Sequence, residues 1–355
     1  MPGVIYEPGG GKVLAKARAV ALEPDRLRVM RGACGRAAMA LILLGGFSTA
    51  AQAQPTFESA GERALGMGGA FVAVADDATA AHWNPAGLAT AGPAGMTVGW
   101  LRTQVGHSDD LAQPGARRIR GSFTSLGTLP LGVSYGTLRL TELNEGPNGT
   151  LLTETLRTNQ FGVTILQSVA AGLVVGTTLR YVHGEVVAAL SEGASVDDAL
   201  SLTEGLDGDG SGTFDFDVGV MADMRRVRVG VTLKNLQSPT FGDVAVRQIT
   251  IPRQTRLGVA LMPTNGLTLA VDLDLETVDL LDDPHRMVAI GGEVHLGQRL
   301  LARSGVRWSI EGASRFVAAA GMSVAIRRGM WLDGHYTQDR DGERREFGVA
   351  MRAGL

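Results

Sequence analysis

The sequence predicts an all-β protein: a transmembrane antiparallel β-barrel, of fourteen strands, with an N-terminal plug (hatch) segment in the lumen. Three observations predict it. Segments of strict apolar/polar alternation recur through the chain after residue 53, and none is a run of 18 apolar residues that would make a membrane helix. The gaps between these segments alternate short and long, as the turns and loops of an outer-membrane barrel do. An export signal precedes them all.

The signal occupies residues 30–53. Arg31 and Arg36 supply a positive start, Ala37 to Phe47 form an apolar run, and Ala51-Gln52-Ala53 is a small-x-small cleavage site. The run is too short to span a bilayer, which takes about 20 residues as a helix. Residues 1–29 do not fit such a signal and are expected to be an extra N-terminal extension, with translation starting at Met30. The single cysteine, Cys34, lies before the apolar run, so no lipid-anchoring cysteine follows it, and disulfides and thiolate chemistry are both excluded downstream. The formal net charge is −3, which argues against a basic nucleic-acid binder. The first 53 residues hold seven Lys/Arg and three Asp/Glu, leaving 26 basic and 33 acidic groups in the exported part.

Residues 54–94 form the expected plug and residues 95–355 the barrel. The fourteen candidate strands are 95–104, 117–126, 131–141, 155–168, 173–188, 213–223, 227–236, 253–263, 267–276, 286–296, 300–310, 315–326, 329–338 and 344–355. Val227 to Lys234 and Leu267 to Glu276 show the pattern at its strictest. Successive strand side chains point to opposite faces, so each segment has one apolar and one polar or small face. The gaps after even-numbered strands are short and those after odd-numbered strands long, which places the long ones outside the cell; Glu311 to Ser314 is a short exception. A soluble two-sheet sandwich alternates as well. Here the partners of the apolar face are often small (Gly219, Gly230, Thr232, Gly258, Ala260, Gly291, Gly348), which suits a lumen crowded by a plug better than a solvated surface. Aromatics make up only 5% of the chain, and Trp100, Tyr135, Tyr181, Trp308, Trp331 and Tyr336 are the candidates for the interfacial girdles.

Within the plug, glycines in Gly61-Glu-Arg-Ala-Leu-Gly-Met-Gly-Gly argue against a long helix, Asp76-Asp77-Ala-Thr79 is suited to cap a helical turn, and Asn84-Pro85 and Gly87 are turn formers. The string GGAFVAVADDATAAHWNPAGLA resembles the N-terminal signature shared by FadL-type hydrophobic-compound transporters and the PorV/PorQ secretion-associated outer-membrane proteins. GERALGMGGAFVAVADD and the later LKNLQSP (Leu233 to Pro239) resemble PorV/PorQ more closely. The resemblance implies fourteen strands with an N-terminal plug. The chain departs from such barrels in ending on Leu355 where an aromatic is usual, although Leu355 stays in phase with Phe347, Val349 and Met351. It is also short for a FadL-type transporter.

Little in the chain points to catalysis. Phosphate loops, zinc spacings and nucleophile motifs are missing, so neither an enzyme nor a cofactor is expected. Asp207, Asp209 and Ser211 are spaced like the start of a calcium loop, but position twelve, which an EF-hand fills with Glu, is Val218. The surrounding loop 189–212 is acidic, with Glu192, Asp197, Asp198 and Glu204 and no Lys or Arg; a polar loop tip near the lipopolysaccharide surface is the simpler expectation. His295 and Glu293 share a face and are expected to pair in the lumen. Leu65, Met67, Phe71, Val72 and Val74 would line a ligand path beside the plug, with Trp83, Asn84 and Pro85 fixing the plug or touching the ligand.

The first function expected is passage of small hydrophobic molecules across the outer membrane. The alternatives are a PorV/PorQ-like part in protein secretion or surface assembly, and a structural or receptor barrel without transport. Expected partners are outer-membrane lipid, the barrel-assembly machinery, and a small hydrophobic ligand or a secreted protein.

Overall fold

The computed structural model describes residues 57–106, 110–146, 149–191, 195–243, 248–279, 284–311 and 316–354. The extension, the signal and Leu355 lie outside these residues, as does the 312–315 connection.

Fourteen antiparallel strands close into one barrel. They are β1 (Ala94–Val105), β2 (Arg117–Thr128), β3 (Leu131–Glu145), β4 (Leu151–Ala170), β5 (Leu173–Ser191), β6 (Asp209–Asp223), β7 (Val227–Lys234), β8 (Gln254–Thr264), β9 (Leu267–Asp274), β10 (Pro284–Leu296), β11 (Leu300–Glu311), β12 (Phe316–Arg327), β13 (Met330–Asp339) and β14 (Arg344–Gly354). The seam is β1 against β14, in register from Gly95 opposite Gly354 to Val105 opposite Arg344. Closure leaves no free edge, the condition for strands to cross a membrane. Among the described residues no helix is long and apolar enough to do so.

Each expected strand is present. The main difference is length: β3, β4 and β5 run on to 15, 20 and 19 residues, so the connection expected to be long after the third strand is only Gly146 to Thr150. Polar residues such as Glu142, Asn144 and Glu154 mask the continued strand in the sequence. About ten residues cross a bilayer, so these three strands project beyond it on the long-loop side. Sequence alternation also missed two-residue strands at Thr240–Phe241, Ile249–Thr250 and Val278–Asp279.

The outer face is an apolar band that includes Ile165, Leu179, Ile290, Leu332 and Val349. Its aromatic rim differs from expectation. Trp100, Tyr135, Tyr181 and Tyr336 are exposed outward and are joined by Phe161, Phe214, Phe316 and Phe347. Trp331 is not part of it: Leu332 takes the outward position, and the Arg352 guanidinium lies 5.9 Å from the Trp331 ring centre.

Candidate lumen site: a plug held by buried ion pairs

The segment from Phe57 to Gly92 folds as short turns rather than one helix: α1 (Glu62–Gly66), α2 (Ala80–Trp83) and a 3-10 turn, Pro85–Thr90. Asp77 shapes the entry to α2, its Oδ1 accepting from the Thr79 N–H at 2.9 Å and from the Thr79 hydroxyl. Asn84 caps the 3-10 turn, accepting from the Ala86 N–H at 3.1 Å.

The barrel wall makes room for this segment with inward glycines. A Cβ on Gly291 would lie 2.1 Å from the Met67 carbonyl oxygen, and one on Gly305 would lie 2.3 Å from the same atom. On the opposite wall a Cβ on Gly219 would meet Asn84 Oδ1 at 2.1 Å, and one on Gly176 would meet the Pro85 and Ala86 backbone at 2.4 Å. Gly99, Gly230, Gly258, Gly321 and Gly348 also face the plug at less than contact distance. The small residues on the inner face thus admit the plug backbone directly.

Charge fixes its position. Arg63 makes a fork to Glu293, Nε to Oε2 at 2.8 Å and Nη2 to Oε1 at 2.7 Å, the bidentate geometry that strengthens a charge-assisted bond. Glu293 also accepts from Arg303 at 2.6 Å, and Asp333 links Arg303 to Arg352. Arg63 further contacts Asp76 and Asp77. Glu58 pairs with Arg256 at 2.9 Å, and Arg256 is in turn held by Asp274 at 2.6 Å. Asp272 accepts from the Phe71 and Val72 N–H groups, both at 2.8 Å. These wall residues have no local sequence signal that separates them from ordinary polar strand positions.

The plug's titratable groups follow from this packing. Burial alone would raise Glu58, but the Arg256 and Arg307 charges outweigh it and hold the carboxyl at about 2. Burial likewise opposes ionisation of Asp77, and Arg63 and Arg352 overcome it. Glu62 has the opposite balance: burial, with Asp333, Asp77 and Glu346 nearby, pushes it up to about 8. Burial and the Lys234 charge hold His82 neutral, well below the usual histidine range. Its Nε2 lies 2.9 Å from the Phe57 carbonyl oxygen, and Lys234 Nζ lies 3.2 Å from Nδ1.

Each residue expected to form the path or fix the plug is buried: Leu65, Met67, Phe71, Val72, Val74, Trp83, Asn84 and Pro85. Their side chains are packed between the plug and the wall. Asn84 donates to Val72 O at 2.9 Å and to Val220 O at 3.2 Å, Trp83 Nε1 donates to Ala60 O at 3.0 Å, and Thr232 donates to Trp83 O at 3.0 Å. Trp83, Asn84 and Pro85 therefore tie plug to wall. A small cavity of mixed lining lies between the plug and β2 to β6, bounded by Phe123 and Leu138 as well as His82, Gln160, Arg180 and Asp217. The expected Glu293–His295 pair is not made. His295 is exposed beside the Gly266 turn, and Glu293 turns to the two arginines.

Above the plug, on the long-loop side, the lumen face carries a cluster of apolar side chains beside buried charged ones such as Arg117, Glu142 and Arg180. Leu101, Ile119, Leu138, Leu140, Leu156, Val182 and Val186 form one cluster with Phe57 and Trp83 of the plug. Phe241, Ile249 and Ile251 of the β7–β8 loop close it from above, with Phe241 seated on Gly184. The β5–β6 loop instead folds onto the outer face of β2 to β5, where α3 (Val196–Ser201) packs on Ala116 and Leu143. In this loop Asp207, Asp209 and Ser211 are exposed, the last two within β6, and no three His, Cys, Asp or Glu side chains among the described residues are grouped to hold a metal.

Comparison with known proteins agrees on architecture. Residues 148–274, a stretch that spans β4 to β9, match the model of the family described as F plasmid transfer operon, TraF, protein. No curated protein matches the sequence. Among solved structures, the Ralstonia pickettii toluene transporter TbuX aligns at 14% identity and TM-score 0.57, over 84% of this chain and 99% of that one. The Pseudomonas putida toluene transporter TodX aligns at 14% and 0.57 over 86% and 98%, and a Pseudomonas aeruginosa FadL homologue at 12% and 0.55 over 86% and 99%. At such identity the likeness is one of fold: the chain shares with these structures a closed fourteen-stranded antiparallel barrel, here built around an N-terminal plug.

Proposed function

We propose that this protein is an outer-membrane channel for small hydrophobic molecules. The observation that carries the proposal is the apolar cluster on the lumen wall, running from Phe241 down to Trp83 of the plug. Water-filled porins have a polar interior, which would give an apolar solute no favourable surface. Here the apolar cluster is continuous and roofed by a loop, so entry requires Phe241 to swing off Gly184 and passage requires the plug to shift. The solved barrels of the same fold include toluene transporters, which supports the same substrate class.

The test is uptake of labelled toluene by cells that express the chain against cells that do not, with outer-membrane residence checked by a mobility shift between unboiled and boiled samples. Expression should raise initial uptake several-fold, and Leu138→Asp, which puts a charge into the apolar cluster, should return it to background while the band still shifts. Equal uptake with and without a folded barrel would overturn the proposal. A PorV/PorQ-like part in secretion is the second reading. It is favoured by the match over 148–274 to the transfer-operon family, a stretch that includes the α3 loop with exposed Leu202 and Leu206. It predicts loss of surface-protein export, with unchanged toluene uptake, when that loop is removed.

A further inference from the structure

Four arginines stand side by side on the outer face of the wall. Arg102 of β1 is paired in register with Arg120 of β2, Arg120 with Arg139 of β3, and Arg139 with Arg157 of β4. Like charges directly opposite one another on a sheet are destabilising, so an uninterrupted row of four calls for counter-charges. The chain supplies some of them. Glu204 takes Arg120 at 2.8 Å, Glu185 takes Arg157 at 3.2 Å, and Asp197 takes the neighbouring Arg118. Carbonyls of Thr203 and Leu206 also accept from Arg157. Arg102 and Arg139 make no ion pair among the described residues. Arg102 donates only to Gln104, and Nη2 of Arg139 is buried with no hydrogen-bond partner.

The position of the row identifies what would complete it. On the same outward face Arg102 follows the exposed Trp100 by two residues, Arg139 follows Tyr135 by four, and Arg157 precedes Phe161 by four. Between aromatics and arginines lie only short polar side chains, including Ser122 and Thr137, hydrogen-bonded at 2.7 Å. Going from the turn side to the loop side, the wall is thus apolar, then aromatic, then cationic. An amphiphile with acyl chains and a phosphorylated head matches this order: its chains lie on Trp100, Tyr135 and Phe161, and its phosphates reach the guanidinium forks, which bind phosphate bidentately. A soluble anion would not use the apolar part.

We infer that the row Arg102–Arg120–Arg139–Arg157 is a binding site for the phosphorylated headgroup of an outer-leaflet lipid, bounded on its far edge by Asp197 and Glu204. Arg102 and Arg139, without ion pairs among the described residues, are the two guanidinium groups that remain to take phosphoryl oxygens. The site rests on reading the outer wall as bilayer-facing, so its test must separate the two.

The experiment is native mass spectrometry of the full barrel in detergent, titrated with lipid A, with enzymatically dephosphorylated lipid A, and with phosphatidylcholine. The same samples are run unboiled on a gel to show that the barrel is closed. Lipid A should be retained at least tenfold more tightly than either other lipid. Arg102→Gln with Arg139→Gln, which breaks no ion pair, should abolish that preference, and Arg102→Lys with Arg139→Lys should restore part of it. A closed barrel that holds all three lipids equally, or a glutamine variant as tight as the wild type, would overturn the site and leave the channel proposal standing. Full displacement of lipid A by millimolar inorganic phosphate would overturn it too, since the occupant would then be a soluble anion.

Discussion

At the scale of single residues, the lumen is a set of charges that only tertiary structure can pair. Arg63 and Glu293 are 230 positions apart, yet their fork is buried with Arg303 on its other side. Replacing one member of a buried pair leaves the rest uncompensated, at a cost of about 3–5 kcal/mol. Glu293→Gln, which leaves Arg63 and Arg303 facing each other, should lower the temperature at which the unboiled band converts to the unfolded one. Glu62 gives a pH dependence. Its folded value of about 8 lies above the ordinary glutamate value of 4.5, so between those limits the docked plug binds a proton that the undocked plug does not. Docking therefore weakens as pH rises from 4.5 towards 8 and levels off above. Glu62→Gln should flatten this window and make the plug harder to displace at pH 8, measured as ion conductance across planar bilayers against pH. Nothing local to Glu62 marks it off from other acidic residues, because the difference comes from burial against Gly99 and Gly348 and from Asp333, Asp77 and Glu346.

At the scale of elements, the strands were legible and their partnerships were not. Period-2 alternation is a local property, so β7 and β11 could be placed within a residue or two of where they lie. Alternation also showed one face to be rich in glycine, and the structure shows why: Gly291 and Gly305 touch the Met67 backbone. Gly291→Val with Gly305→Val should leave a barrel that still shifts on a gel but with its plug dislodged, seen as new protease cuts within 57–93. Gly334→Ala, where the nearest atom to the new Cβ is the Gly348 oxygen at 3.9 Å, should change neither. Two elements were hidden for different reasons. The start of α3 carries a cap that could have been read, Ser195 accepting from the Asp198 N–H. The arginine row could not: each arginine sits in its own strand as an unremarkable polar residue, and only register aligns them.

At the scale of the whole molecule, the barrel and its filling are separable in energy. The outer wall is held by a closed ladder of strand pairs that owes nothing to the plug. Removing Thr56 to Leu88 would open the lumen to water, and water would then solvate Glu293, Arg256 and Asp272 in place of their plug partners. The shortened chain should assemble, shift on a gel, and conduct ions far more freely in planar bilayers than the full chain. Conductance equal to that of the full chain would show that the segment does not block the pore.

Glu62 of α1 lies against Gly99 on the first strand and Gly348 on the last, directly beneath the seam where those two strands meet. The two ends of the wall thus share one surface to close on. Plug seating assists barrel closure without being required for it: the docked segment offers the two end strands a surface on which to meet. A chain cut between residues 93 and 94, with the plug supplied separately, should then close more slowly than the intact chain, because the template no longer travels with the strand it aligns.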